Sequence, residues 1–237
     1  MSAELPMAFS PSQASQASAS RPLVTVHVAQ SLDGRIALAG MPTALSTPEG
    51  RRSAHEARAA NDAVLVGANT VRIDDPQLTL RDVPGSQPLR VVLASTLELP
   101  PGSKILGTDG RAVIIGARGR VHEDARRTIE AAGASALVTA ATSEGEVDIA
   151  AALAALHERG VKRLLVEGGA RILTSFFRAR AVDRIRIEMS MRLLGAPGTP
   201  MLGAIGVAAL RDTPTLKNIE VERLGINVLV RGDLVWS

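Results

Sequence analysis

Twice in this chain an apolar run stops at glycine and gives way to a helical pattern, at Val64-Leu-Val-Gly-Ala-Asn-Thr-Val71 and again at Leu165-Val-Glu-Gly-Gly-Ala-Arg-Ile-Leu173. A strand that ends at glycine lets backbone approach a ligand closely, and the helix that follows presents its first unpaired N–H groups there. Two such turns predict an α/β sheet with a nucleotide at the carboxyl edge of its strands.

The rest of the chain keeps the alternation. Strands are predicted at 23–29, 63–66, 89–94, 111–115, 135–138, 161–166 and 184–189. Between them lie helical patterns: 47–58 with Thr47 as N-cap and Pro48 in the first turn, a short one within 67–75, 123–132 ending at Gly133, 149–159 between Asp148 and Gly160, and 170–179. A Gly/Pro-rich loop at 195–203 precedes two closing strands, 215–224 and 226–236, around Gly225. The pattern predicts one α/β domain over 21–237, with a mixed, mostly parallel sheet, helices on both faces and an antiparallel C-terminal edge. Residues 1–20 are rich in Ala, Ser, Gln and Pro, lack the features of a secretory signal, and are predicted to be a disordered tail.

Composition removes several chemistries. With no cysteine among 237 residues, disulfides, thiolate-bound zinc and a cysteine nucleophile are excluded. Four dispersed histidines offer no metal-binding spacing, so no metal is expected, and neither a G-x-S-x-G elbow nor a P-loop occurs. No apolar run approaches the roughly 18–20 residues of a membrane span. The chain is arginine-rich, but 27 basic residues against 24 acidic ones leave a net charge of only +3. Interleaved charges and 2% aromatic content argue against a nucleic-acid partner.

Individual residues read two ways. Thr70 at the first turn either joins the helix N–H groups on a phosphate or is simply part of an α/β connection. Glu167 at the second turn is a ligand for substrate donors or an acid that favours the helix dipole. Asp74 faces a cofactor and Arg81 an anionic substrate group, or both sit in a charged surface loop. His55 and Arg58, three apart on one helix, share a face that solvent would explain equally well. His27, inside the first strand, is by default a satisfied core histidine.

Six segments in order, Val28-Ala-Gln-Ser-Leu-Asp-Gly-Arg-Ile36, Val66-Gly-Ala-Asn-Thr-Val71, Asp74-Asp-Pro-Gln-Leu-Thr79, Pro88-Leu-Arg-Val-Val-Leu-Ala-Ser95, Leu165-Val-Glu-Gly-Gly169 and Leu193-Leu-Gly195, resemble the pyrimidine reductases of riboflavin biosynthesis. That family is similar in fold to dihydrofolate reductase. The resemblance implies a cytoplasmic homodimer that uses NADPH to reduce the ribosyl group of a phosphorylated ribosylamino-pyrimidine to the ribityl form, with direct hydride transfer to C1′.

Carried over by position, the resemblance implies cofactor contacts at Ala29, Thr70, Asp74, Ser95, Gly168, Gly169, Ala170, Arg171, Ile172, Leu173, Thr174 and Ser175. Arg118 is a further candidate for the 2′-phosphate. Substrate contacts are implied at Arg58, Leu78, Arg81 and Glu167, with the arginines suited to phosphate and Glu167 the catalytic candidate. Two departures stand out. His27 replaces a lysine common in fused bacterial members, which makes it a further substrate-binding candidate, and Pro42-Thr-Ala44 replaces a frequent Ser-x-Trp. The resemblance points to a stand-alone reductase without the zinc deaminase of those fused enzymes. It leaves open the diamino-pyrimidinone against the deaminated amino-uracil substrate, a pterin or folate reductase, and a non-catalytic NADPH-binding relative.

Overall fold

The apolar runs pair in an order that their sequence order does not announce. The computed structural model describes residues 20–236, so the predicted tail at 1–20 lies outside the described residues apart from Ser20. In chain order the elements are β1 (Leu23–Ser31), β2 (Arg35–Leu38), α1 (Pro48–Ala59), β3 (Ala63–Gly67), α2 (Ala68–Asp74), β4 (Leu89–Leu93), β5 (Ala112–Ala117), α3 (Glu123–Ala131), β6 (Ser135–Thr139), α4 (Ile149–Glu158), β7 (Arg163–Gly168), α5 (Ala170–Arg178), β8 (Arg184–Ser190), β9 (Gly198–Pro200), β10 (Thr215–Leu224) and β11 (Asn227–Val235).

Nine strands form one sheet in the order β10-β11-β8-β1-β7-β3-β4-β5-β6. From β8 to β6 every pairing is parallel, and β11 and β10 close the other edge antiparallel. Strands with both faces covered read as continuous apolar runs, and β3 and β5 are buried at every position. Alternation along the strands sorts the core into two layers. Val24, Val26 and Val28 face one cluster with Leu153, Leu156, Leu173 and Phe176 of α4 and α5. Val64, Val66 and Leu165 face the other, with Ala57, Val71 and Ile129 of α1, α2 and α3.

α1 is polar for a packed helix, burying only Gly50, Ser53 and Ala57. It sits where the sheet is polar too. Arg186 Nη2 donates to Ser53 Oγ at 2.8 Å, and the fully buried Glu188 accepts the Thr47 N–H at 3.2 Å and Asn227 Nδ2 at 2.6 Å. The Thr47 hydroxyl caps the helix by accepting the Gly50 N–H at 3.0 Å, as the sequence predicts.

Two short strands escape the sequence reading. β2 was not predicted, and β9 lies inside the predicted loop at 195–203; together they form a two-stranded antiparallel sheet. Both are too short for periodicity to register. Asp33 ties this flap to the rest, accepting from Ser31 Oγ and from the N–H groups of Leu194 and Gly195 at 3.0 and 2.7 Å. Those bonds hold its carboxyl down at about 2. Two of the six recognised segments are thus one clasp.

Candidate active site

The two glycine turns meet. A side-chain carbon on Gly67 would lie 2.5 Å from Ile172 Cγ1 of α5, and one on Gly169 would lie 3.2 Å from Thr70 Oγ1 of α2. Each turn therefore leaves room for a side chain of the other's helix, by an outright clash avoided at Gly67 and a tight contact avoided at Gly169. Neither helix carries a side-chain cap at its start, so the N–H groups of both open on a shared cavity of about 960 Å³. Such a volume is at the upper end for small-molecule sites and suits a dinucleotide with a second ligand. Uncapped donors, glycines at the approach and arginine-rich walls fit the phosphates of a nicotinamide dinucleotide.

Of the cofactor positions expected from the sequence, Ala29, Thr70, Asp74, Ser95, Gly169, Ala170, Arg171, Ile172 and Ser175 line this cavity. Three do not reach its wall. Leu173 is fully buried in the core, Gly168 ends β7 behind the turn, and the Thr174 hydroxyl donates to the Ala170 carbonyl while accepting the Gly203 N–H. A helix shows its ligand one face at a time, so a continuous run of contacts through Ser175 does not follow. Arg118 lies off the wall, whereas Arg120, two residues on, lines it. Partial burial holds the Asp74 carboxyl above the ordinary carboxylate range.

At the other end of the cavity β1, β7 and α1 bring His27, Glu167, His55 and Arg58 together. Arg58 grips Glu167 with both prongs, Nε on Oε1 at 2.7 Å and Nη2 on Oε2 at 2.8 Å, while Nη1 donates to the Thr79 carbonyl at 3.3 Å. Both side chains are buried, 14% and 12% exposed. Solvent therefore does not account for Arg58, and Glu167 is more than helix-dipole company, while the half-exposed His55 lines the same cavity. Burial works to raise Glu167, but the Arg58 charge and fork prevail and hold it below its ordinary value, an anion at neutral pH.

His27 is buried but not satisfied: its Nδ1 has no hydrogen-bond partner among the described residues. Burial, opposed by Glu167 and assisted by Arg186 and Arg58, pulls it down to about 4, so the ring is neutral at physiological pH. Arg81 lines the cavity as expected, whereas Leu78 is 3% exposed and packs into the second core cluster. The core claims the side chain of Leu78, so a substrate contact at this position would have to come from its backbone.

Sequence reasoning missed Arg51, Arg72, Thr96 and the 144–147 turn on the wall. Arg51 could have been found, since it lies four residues before His55 and seven before Arg58 on one helix face. Across the cavity six arginines, at 51, 58, 72, 81, 120 and 171, face four carboxylates, Asp74, Glu144, Glu146 and Glu167. Among the described residues no group of His, Asp or Glu could hold a metal ion, and no helix is long and apolar enough to cross a membrane.

Residues 22–230 match the RibD C-terminal domain family. The chain belongs to that family. It is 33% identical over 216 residues to the 2,5-diamino-6-ribosylamino-4(3H)-pyrimidinone 5′-phosphate reductase of Methanothermobacter thermautotrophicus, covering 89% of this chain and 97% of that protein. It is 34% identical over 212 residues to the riboflavin biosynthesis protein RibD of Aquifex aeolicus, of which it spans 57%. Acinetobacter baumannii RibD superposes with a TM-score of 0.79 over 92% of this chain and 59% of that one, at 24% identity. This RibD C-terminal domain member thus has the dihydrofolate reductase-like α/β fold that its sequence predicts.

Proposed function

We propose that this protein is a reductase of riboflavin biosynthesis that reduces the ribosyl group of a phosphorylated 6-ribosylamino-pyrimidine to the ribityl form, with NADPH as hydride source. The observation that carries this reading is the meeting, in one cavity, of two uncapped glycine turns and the Arg58–Glu167 fork. Family relatives named as diamino-pyrimidinone phosphate reductases at 33–34% identity support the substrate class.

Reduced nicotinamide, when bound, supplies the hydride for C1′ of the sugar. The protein aligns the two reactants and sets the charge around them. Thr70 and the N–H groups that follow Gly67 and Gly169 hold the pyrophosphate. Ser95 and Arg120 take the 2′-phosphate that distinguishes NADPH from NADH. Glu167, fixed as an anion, keeps lone pairs free to accept from amino or hydroxyl groups of the substrate, so it orients rather than protonates. Neutral His27 lines the substrate end, where a lysine would have brought a charge.

Oxidation of NADPH is expected with the 2,5-diamino-pyrimidinone ribosyl phosphate, and with its deaminated counterpart tested in parallel to identify the branch. Cofactor binding without turnover on either would overturn the reductase reading. Arg120→Ala should cut the preference for NADPH over NADH about tenfold, the worth of one charge-assisted contact. Thr70→Val should weaken both cofactors alike, which titration of nicotinamide fluorescence would show.

We also propose a homodimer, with residues 21–237 acting as one domain. Its support is the long β10 edge, on which Ile219 and Val221 are 57% and 67% exposed. Sedimentation of the wild type and of Val221→Lys tests it: a dimer that the substitution dissociates is the expected result.

A further inference from the structure

The β10–β11 hairpin stands apart from the cavity, and none of its described residues lines the wall. Its turn end is nevertheless bonded to a stretch of chain that does. That stretch runs from the flap into α1: the Thr43 hydroxyl accepts the Leu38 N–H at 2.9 Å, and Thr43, Ala44, Leu45 and Ser46 all line the cavity before Thr47 caps the helix. Arg58 follows on the same helix and holds Glu167 in its fork. Where residues 45–50 sit therefore decides where the fork sits.

Two buried side chains fix that stretch. Asn227, 1% exposed at the start of β11, commits both protons of its amide nitrogen, one to the Leu45 carbonyl at 2.9 Å and one to Glu188 Oε1 at 2.6 Å. Glu188 of β8 accepts the Thr47 N–H on the same oxygen at 3.2 Å. Its Oε2 has no partner among the described residues, so the hydrogen bonds of Glu188 all belong to this knot. The Thr47 hydroxyl adds a further tie by donating to the Leu224 carbonyl at 3.0 Å. Burying a carboxyl group with one oxygen unpaired costs more than burying an apolar side chain of similar size, so packing alone does not account for Glu188.

The packing is as close as the bonding. A side-chain carbon on Gly50 would clash with Glu188 Oε1, and one on Gly225 would lie 2.8 Å from Glu49 Oε2. The first turn of α1 thus rests directly on the Glu188 carboxyl group, with the turn of the hairpin against Glu49.

We propose that Glu188 and Asn227 are positioning residues of the reductase: they seat residues 45–50 on β8 and on the β10–β11 turn, and so set where Arg58 presents Glu167 to the substrate. The proposal rests on the reductase reading for the reaction it serves, while the seat stands on the geometry of the knot.

The test is steady-state kinetics on the ribosylamino-pyrimidine phosphate, beside titration of NADPH binding. Asn227→Ala and Glu188→Ala should each lower kcat/KM about 10- to 100-fold, chiefly through kcat, because a small displacement of the reacting groups is costly. NADPH affinity should stay at the wild-type value, since α2 and α5 lie outside the knot. Glu188→Gln keeps the bonded oxygen and exchanges only the unpaired one, so it should restore most of the rate. Unchanged kcat/KM in the alanine variants, or NADPH affinity that falls by the same factor, overturns the assignment.

Gly50→Ala covers the case in which those variants fail to fold. It removes no hydrogen bond, suits a helix better than glycine, and still pushes α1 off the carboxyl group. It should lose kcat in the same way, and a wild-type rate overturns the seat. Added to Glu188→Ala, where the carboxyl group is gone, it should cost little more, and additive losses also overturn it. If the wild type turns over neither the diamino-pyrimidinone nor the amino-uracil compound, the reductase reading fails and hydrogen exchange reads the seat alone. Faster exchange over residues 43–59 in Asn227→Ala or Gly50→Ala, with 68–74 and 170–178 as in the wild type, upholds the seat; uniform or unchanged exchange sinks it.

Discussion

Two of the arginine–carboxylate forks among the described residues, each with a buried arginine, sit in opposite settings. Arg90, near the start of β4 at the amino edge of the sheet, is 2% exposed while its partner Asp109 is 43% exposed. Its donors are spent closing a loop, with Nε on the Ile105 carbonyl at 2.7 Å, Nη2 on the Leu106 carbonyl at 3.1 Å and the fork on Asp109. Asp109, held far below the usual carboxylate range by Arg90, is half in water and does not line the cavity. At the carboxyl edge the balance is reversed. Arg58 and Glu167 are about equally buried, and it is the carboxylate that borders the cavity, between two histidines. Both arginines also reach backbone carbonyls, so the forks differ in the carboxylate: that of Asp109 faces water, and that of Glu167 borders the cavity.

If that distinction holds, the two forks fail differently. Glu167→Gln keeps an acceptor for Arg58 but removes the fixed charge, and turnover should fall about a hundredfold or more with nicotinamide affinity nearly unchanged. A weakened cofactor with an unchanged rate would show that Glu167 belongs to the other half of the cavity. Arg90→Met should leave the kcat of the folded protein near that of the wild type while removing about 1–3 kcal/mol of stability, chiefly from the Ile105 and Leu106 carbonyls left unpaired, read from the urea midpoint. A site effect without a stability effect would erase the contrast.

The third difference is in pH. His27 beside Glu167 is held at about 4 in the folded protein, against 6.5 for an ordinary histidine. Between those values the unfolded chain binds the proton and the folded one does not, so stability is complete above pH 6.5 and declines as pH falls to 4, by roughly 3 kcal/mol. His27→Gln should flatten that stretch of the stability curve. The Arg90 fork has the depressed-carboxylate sign: its contribution is present above the ordinary aspartate range and is lost only in stronger acid. An unchanged slope in His27→Gln would mean the ring is not the group that takes up the proton.

Much of this was legible in the sequence because it is local. Thr47 and Asp148 cap their helices, glycine ends both strands of the site, and the apolar runs become strands within a residue or two of where they were expected. What escaped is non-local. Arg58 and Glu167 are 109 residues apart, and nothing in either segment says that one holds the other. The side chain of Leu78 reads as a contact until the core claims it, and nothing near Asp33 announces the N–H groups of 194 and 195 that arrive from across the chain. His27 was half legible: burial followed from its strand, the missing partner did not.

The strand order also sets a timetable for synthesis. β3, β4, β5 and β6 neighbour one another in the order in which they are made, so they can pair as they emerge from the ribosome. β1 precedes the other strands of the sheet yet pairs late, because both its neighbours, β7 and β8, begin only at residues 163 and 184. The strand that carries His27 must wait for some 130 residues with its hydrogen-bonding edges open, and Glu167 joins it only when β7 is made. Until then the nascent chain holds an unpaired, valine-rich strand that is a template for the wrong neighbour.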